Sequence, residues 1–203
     1  MSFNPAFALE APSAFARVQL CFLLQLAYSG ERGAALAYVG HAASLRDPRE
    51  RTEVRRILRD EVRHRLVLRS MMAELGCAPD PRRERKLDRV GKAISLFCRV
   101  GGYFFPMYGA ARLENQNIGE YEHAARLAVC AGQMPLADQL LELAEVEWDH
   151  ELFFRSCASR HPLWRVMSRW PAPPPRASIR ERFAAFLDGD RAIEPVIAPW
   201  LVR

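Results

Sequence analysis

The sequence has no Cys-x-x-Cys pair. Its five cysteines, Cys21, Cys77, Cys98, Cys130 and Cys157, are scattered, which argues against a disulfide framework or a thiolate zinc site. They read as reduced cysteines of a cytosolic protein. It has no long apolar run either. The longest near-apolar stretches, Val18–Tyr28 and Gly101–Ala111, are too short to cross a bilayer, and the first contains Gln19 and Gln25. The N-terminus, MSFNPAFALE, lacks the basic start and apolar core of a signal peptide, so a cytoplasmic location is expected. Lysine is almost missing. Of 29 basic residues only Lys86 and Lys92 are lysine, and the rest are arginine. No basic run interleaves with aromatics, so the net charge of +5 and pI of about 9.2 do not indicate nucleic acid. They leave room for peripheral contact with an anionic membrane surface. No strand pattern and no low-complexity tract stands out.

What is present is helical periodicity. Half of the residues are hydrophobic and 26% are charged, as in a folded globular chain. A first helix is predicted over residues 13–44, with the stripe Leu20, Leu24, Ala27/Tyr28, Ala34/Ala35, Tyr38, Ala42, Leu45. A second is predicted to start at Asp47 as N-cap, with Pro48 at its first position and Glu50 closing a capping box, and to stop at Gly76. Residues 77–101 form the connection: CAPDPRRER with turn chemistry, then a helix over 86–100, broken by Gly101-Gly102. Long helices are predicted over 104–131 and 136–159. PAPPP (171–175) reads as a stiff linker and 178–187 as a short amphipathic helix. Short turns make each long pair an antiparallel hairpin. The long connection can climb the side of a bundle roughly 35–40 Å tall. The expected fold is therefore all-α: a ferritin-like four-helix bundle over residues 1–160, two antiparallel helical hairpins with a long crossover, plus a Pro-rich linker and short C-terminal helix over 161–203.

The informative residues are acids lying where apolar residues belong. Glu31 continues the stripe of the first helix, and Glu61 and His64 that of the second. Glu114 lies on the stripe Met107, Ala111, Ile118, Tyr121, Ala125 of the third, and Glu147 and His150 on that of the fourth. Four unpaired buried carboxylates would cost many kcal/mol. Two divalent ions remove that cost, and four Glu with two His is the ligand set of a di-iron or di-manganese carboxylate bundle. The other Glu-x-x-His, Glu120–His123, is out of phase, on a side shared with Arg112, Gln116, Gly119 and Arg126 that reads as solvated. Asp60 and Asp149 are placed to accept from a ligand imidazole, with Arg63 as a partner for such an acid. Tyr38 and Tyr121 each follow an inward glutamate by seven residues, facing the centre or its access route. The structural alternative for both is a core tyrosine with a satisfied hydroxyl. Trp148 reads as packing.

These motifs resemble a known family. Gly30-Glu31-Arg32-Gly33-Ala34 with Tyr38-Val39-Gly40-His41 is similar to the first-helix motif of the demethoxyubiquinone hydroxylases, in which glutamine usually stands where this chain has His41. Asp60-Glu61-Val62-Arg63-His64, Leu113-Glu114 with Tyr121, and Glu147-Trp148-Asp149-His150 are similar to that family's remaining motifs. The resemblance covers about residues 25–157. The family commonly has histidine where this chain has Glu120. The resemblance implies a di-iron centre on Glu31, Glu61, His64, Glu114, Glu147 and His150, which would be metal ligands and catalytic centre together. It implies dioxygen and an external reductant as co-reactants.

The first functional expectation is thus an oxygen-activating di-iron oxidoreductase, a hydroxylase or monooxygenase with two Fe ions (or Mn). Its substrate is expected to be a lipophilic small molecule lined by Tyr38, Phe22, Phe104 or Tyr108, with Tyr103-Phe104-Phe105-Pro106 as an apolar entrance or as plain packing. The second is a rubrerythrin-like peroxidase or ferroxidase. The third is a non-catalytic metal-binding or interaction module, in which Phe183, Phe186, Leu187 and Trp200 dock on a partner or a second copy as a homodimer. The alternative for those four is that they cover the bundle's own surface.

Overall fold

The computed structural model describes residues 5–167 and 169–189. Among these the chain is all helical, with six α-helices and no strand: α1 (Pro5–Ser44), α2 (Pro48–Glu74), α3 (Pro81–Val100), α4 (Phe104–Cys130), α5 (Met134–Ser159) and α6 (Ser178–Asp188). A single 3-10 turn, Pro162–Arg165, follows α5. Trp200, one of the four expected docking residues, lies outside the described residues.

Local chemistry sets most boundaries. Asp47 accepts a hydrogen bond from the Arg49 amide at 2.7 Å and Pro48 opens α2. The predicted partner in a capping box, Glu50, instead accepts from the Tyr103 hydroxyl at 2.8 Å and from Arg160 at 3.0 Å. Gly76, at φ 68°, ends α2 in a left-handed conformation that a Cβ disfavours. The Gly76 and Cys77 amides then donate to the Ala73 and Met72 carbonyls, closing a Schellman motif. Gly132, at φ 73°, ends α4 in the same way.

Two helices begin earlier than periodicity alone predicts. α1 runs from Pro5, straight through Pro12, rather than from residue 13. α3 begins at Pro81 rather than 86, because Asp80 caps it, accepting from the Arg82 and Arg83 amides at 2.8 and 3.3 Å. The sequence CAPDP is helix-start chemistry rather than a free turn.

α1 packs against α2, α3 and α4, and α4 packs against α5. This is compatible with a four-helix bundle of α1, α2, α4 and α5. The connecting helix α3 lies parallel to α1 and very close to it. A Cβ on Gly40 would stand 2.0 Å from the Ser95 carbonyl oxygen, and one on Gly91 2.5 Å from that of Gly33. The buried side chains form two apolar clusters. One holds Leu20, Leu24, Leu68, Met71, Leu136 and Leu140 among others. The second holds Ala42, Val54, Ile57, Met107 and Phe154. Each fully buried Leu, Ile, Val, Met or Phe side chain among them stabilises by about 1.5–3 kcal/mol. Phe183, Phe186 and Leu187 of α6 pack against the first cluster, so they cover the chain's own core. No helix among the described residues is long and apolar enough to cross a membrane.

Candidate metal centre

The two apolar clusters are separated by a polar layer. Glu31, Glu61, His64, Glu114, Glu147 and His150 meet there, none more than 4% exposed. Their ligand atoms form two sets, each closed within 4.8 Å. One set is Glu31, Glu61, His64 and Glu147, and the other is Glu61, Glu114, Glu147 and His150. Glu61 and Glu147 belong to both. The shared carboxylates therefore come from the two Glu-x-x-His helices, and the lone glutamates of α1 and α4 each serve one set.

The imidazoles face this layer through Nδ1. His64 Nδ1 lies 3.0 Å from Glu147 Oε1 and 3.8 Å from Glu31 Oε1. His150 Nδ1 lies 3.3 Å from both Glu61 Oε1 and Glu147 Oε2. The two rings are 6.0 Å apart. Behind His150, Asp60 Oδ2 lies 3.3 Å from Nε2, and Arg56 anchors Asp60 at 2.6 Å. Arg56, not the exposed Arg63, is thus the arginine that holds the acid. Asp149 points away. It is 47% exposed and 3.6 Å from Arg176, because two residues past Glu147 is a rotation of about 200° round the helix.

Tyr38 of α1 donates to Glu114 of α4, and Tyr121 of α4 donates to Glu31 of α1. The antiparallel register of α1 and α4 sets this exchange, placing residue 31 opposite 121 and 38 opposite 114. Asn117 donates to the other Glu114 oxygen at 2.9 Å.

The clustered carboxylates and imidazoles shift one another's proton affinities. Burial, then Glu31 and Glu147, raises Glu61 well above the carboxylate range. Burial, then Glu147, does the same to Glu114, against the Tyr38 hydrogen bond. Burial lowers the His64 imidazole, but Glu147 and Glu31 outweigh it and take it up to about 10. Glu147 goes the other way. Burial raises it, and His64 and His150 overcome that and hold it low. Even so, Glu31 Oε2, both Glu61 oxygens, His64 Nδ1 and Glu147 Oε1 are buried without a hydrogen-bond partner. The His64–Glu147 approach is close but off the line that a hydrogen bond needs. Unpartnered buried oxygens and an imidazole nitrogen converging on one layer are what ligands of a divalent cation look like without the cation. These groups are positioned to bind a metal ion.

Beside this layer lies a cavity of about 700 Å³ between α1, α3 and α4. Its walls are mostly apolar, and Glu31, Tyr38 and Tyr121 bring the polar layer to its surface. Phe105 and Pro106 line it. Phe22, Phe104 and Tyr108 do not. Phe22 sits under the Arg83 guanidinium, while Phe104 and Tyr108 pack with each other, His161, Trp164 and Trp170. Glu120 corrects its predicted solvated placement. It is half-buried in the cavity wall, and burial, then Glu31 and Glu147, pushes it up to about 7. Arg112, Gln116 and Gly119 are exposed as that reading expected.

Two buried titratable residues were not expected from the sequence. Glu151 is fully buried and held by Arg155 at 2.6 Å and by the Trp170 indole at 3.1 Å. His41 is 1% exposed, stacks on Phe154 and lines the cavity, with Nε2 unpartnered. Trp148 donates to the Pro174 carbonyl at 2.7 Å, tying down the proline segment.

Burial lowers the His41 imidazole to about 4. The unfolded chain, with an ordinary imidazole, therefore takes up a proton first as pH falls. Stability is lost as pH drops from about 6.5 towards 4, by about 2 kcal/mol at pH 5. Urea titrations of the wild type and of His41→Gln at pH 7.5 and pH 5 are expected to show a smaller acid-side loss in the variant by that amount. Equal losses would mean that His41 is not buried neutral.

Comparison with protein-family models, curated proteins and solved structures finds no match to this chain.

Proposed function

We propose that the protein is a ferritin-like, non-haem di-iron oxidoreductase that activates dioxygen to hydroxylate an apolar small molecule. The observation that carries this reading is the convergence of five buried, unpartnered ligand atoms from Glu31, Glu61, His64 and Glu147 beside an apolar cavity. Manganese suits the same oxygen-rich donor set. The motif resemblance to the demethoxyubiquinone hydroxylases supports the di-iron and hydroxylase parts.

Bound iron would supply the electrons and the open coordination positions for oxygen chemistry, with an external reductant restoring it. The chain's own residues do the rest. Glu61 and Glu147 would be shared between two ions, while Glu31 with His64 and Glu114 with His150 would complete one ion each. Tyr121 and Tyr38 orient the unshared carboxylates. Asp60 fixes the His150 ring so that Nδ1 faces the layer. The apolar walls exclude water from the substrate position. Glu120, near neutrality in its proton affinity, can hold or release a proton at the cavity wall. Exposed Val90, Ile94, Phe97 and Phe105 stand where α3 and α4 border the cavity, with Arg89, Arg99 and Arg112 exposed on the same helices. That surface suits entry of a lipophilic substrate, including from an anionic membrane. A peroxidase or ferroxidase would have no use for so large an apolar cavity.

The test is metal content. Loaded anaerobically with ferrous iron, the wild type is expected to retain two irons per chain and a Glu61→Ala, Glu147→Ala double variant almost none. Oxygen should then produce near-ultraviolet absorption only in the wild type, and quinones and other lipophilic aromatics are the first substrates to screen. A folded wild type that binds no metal would sink the proposal and leave a helical interaction module.

A further inference from the structure

Away from the polar layer, the end of the α1–α2 pair holds two cysteines face to face. Arg17, Cys21 and Gln25 occupy successive turns of one face of α1. Arg17 Nη2 donates to the Leu75 carbonyl at 3.0 Å, and Gln25 Nε2 donates to the Ala78 carbonyl at 2.7 Å. Cys21 is midway between these two anchors on α1, and Cys77 lies between them on the turn after α2. The Cys77 amide is fixed in turn by the Met72 carbonyl at 2.9 Å. The two hydrogen bonds on either side set Cys21 opposite Cys77 across a registered contact, near enough for the Cys21 sulfur to raise the Cys77 thiol. Both are half-buried at the edge of the first apolar cluster, within reach of a small polar oxidant.

We propose that Cys21 and Cys77 are a dithiol modification site that hydrogen peroxide converts reversibly to an intramolecular disulfide. The Cys21 thiolate attacks one peroxide oxygen. The O–O bond breaks, one water leaves, and a sulfenic acid forms on Cys21. The Cys77 sulfur then attacks the Cys21 sulfur, the S–O bond breaks, the thiol proton and the hydroxyl leave as a second water, and the S–S bond forms. Two thiols lose two electrons and one peroxide becomes two waters. Burial, then the neighbouring Cys21 sulfur, pushes the Cys77 thiol up to about 12, so Cys77 keeps its proton until the second step. The bond would tie α1 to the end of α2 and spare both sulfurs from irreversible oxidation. The site needs no metal, so it stands whether or not the proposed centre is filled. An oxygen-activating centre that releases peroxide would be a local source of the oxidant.

The experiment treats the reduced full-length chain with a small excess of hydrogen peroxide and follows it by thiol count, intact mass and non-reducing peptide mapping. The five free thiols are expected to fall to three, and the mass to drop by two hydrogens. A linked peptide pair spanning residues 18–32 and 70–82 should appear, and dithiothreitol should reverse all three changes. Cys130→Ser, which removes the other half-buried thiol of that cluster, should behave as wild type. Cys21→Ser and Cys77→Ser should each form no intramolecular link. Addition of single oxygens without a linked peptide, a bond running through Cys130, or a bond only between two chains would overturn the proposal.

Discussion

Replacing Gly40 by alanine is expected to destabilise the protein by about 3 kcal/mol or more, although alanine favours a helix over glycine by about 1 kcal/mol. The reason is the seam between α1 and α3. The added Cβ would stand 2.0 Å from the Ser95 carbonyl oxygen and 2.5 Å from its carbonyl carbon. Those atoms are backbone, so no side chain can rotate away, and α3 as a whole must move off α1. The same displacement would open the cavity that the two helices share. Gly119→Ala is the control. Gly119 is also inside a helix, but an added Cβ meets nothing within 4 Å. There the substitution should stabilise by up to about 1 kcal/mol. Chemical denaturation of the two variants beside the wild type tests the contrast. A Gly40→Ala protein as stable as wild type would mean that α3 does not pack on α1 in this way.

That seam marks the boundary of what the sequence discloses. The buried acid and histidine cluster was legible because it depends on phase within single helices: Glu31, Glu61, His64, Glu114, Glu147 and His150 interrupt apolar stripes, and i, i+3 spacing puts each histidine above its glutamate. Asp60 followed from the same phase, whereas Asp149 fell on the wrong side of α5. The placement of α3 was not legible. Gly33, Gly40 and Gly91 read as weak points of helices, and only pairing two helices reveals them as a close contact. Glu120 was misplaced for the same reason. Its face of α4 would be solvated in a four-helix arrangement, and α3 turns that side into a cavity wall. The tyrosine exchange across α1 and α4 also needed the register between helices. His41 and Glu151 were missed although phase marked them: His41 is three residues after Tyr38 and four before Leu45, and Glu151 is four after Glu147 and three before Phe154.

Glu61→Gln is expected to change the sign of its effect with metal. Glu61 is fully buried, neither of its oxygens has a hydrogen-bond partner, and Glu31 and Glu147 press on it. Without metal, an uncharged amide of the same shape removes that repulsion and should stabilise by about 2 kcal/mol. With metal the balance reverses. Glu61 belongs to both ligand sets, so its loss weakens both. A wild type at a free metal concentration 1,000-fold above its dissociation constant gains about 4 kcal/mol, most of which the variant would forgo. Thermal unfolding of both proteins, once in chelator and once in excess manganese, should therefore give curves that cross: the variant melts higher without metal and lower with it. A destabilised variant under both conditions would mark Glu61 as an ordinary packing residue. A stabilised variant under both would mean that no cation occupies the layer. Only a site whose carboxylates are strained until a cation joins them gives opposite signs, and for that reason the crossing is a stronger discriminator than metal retention alone.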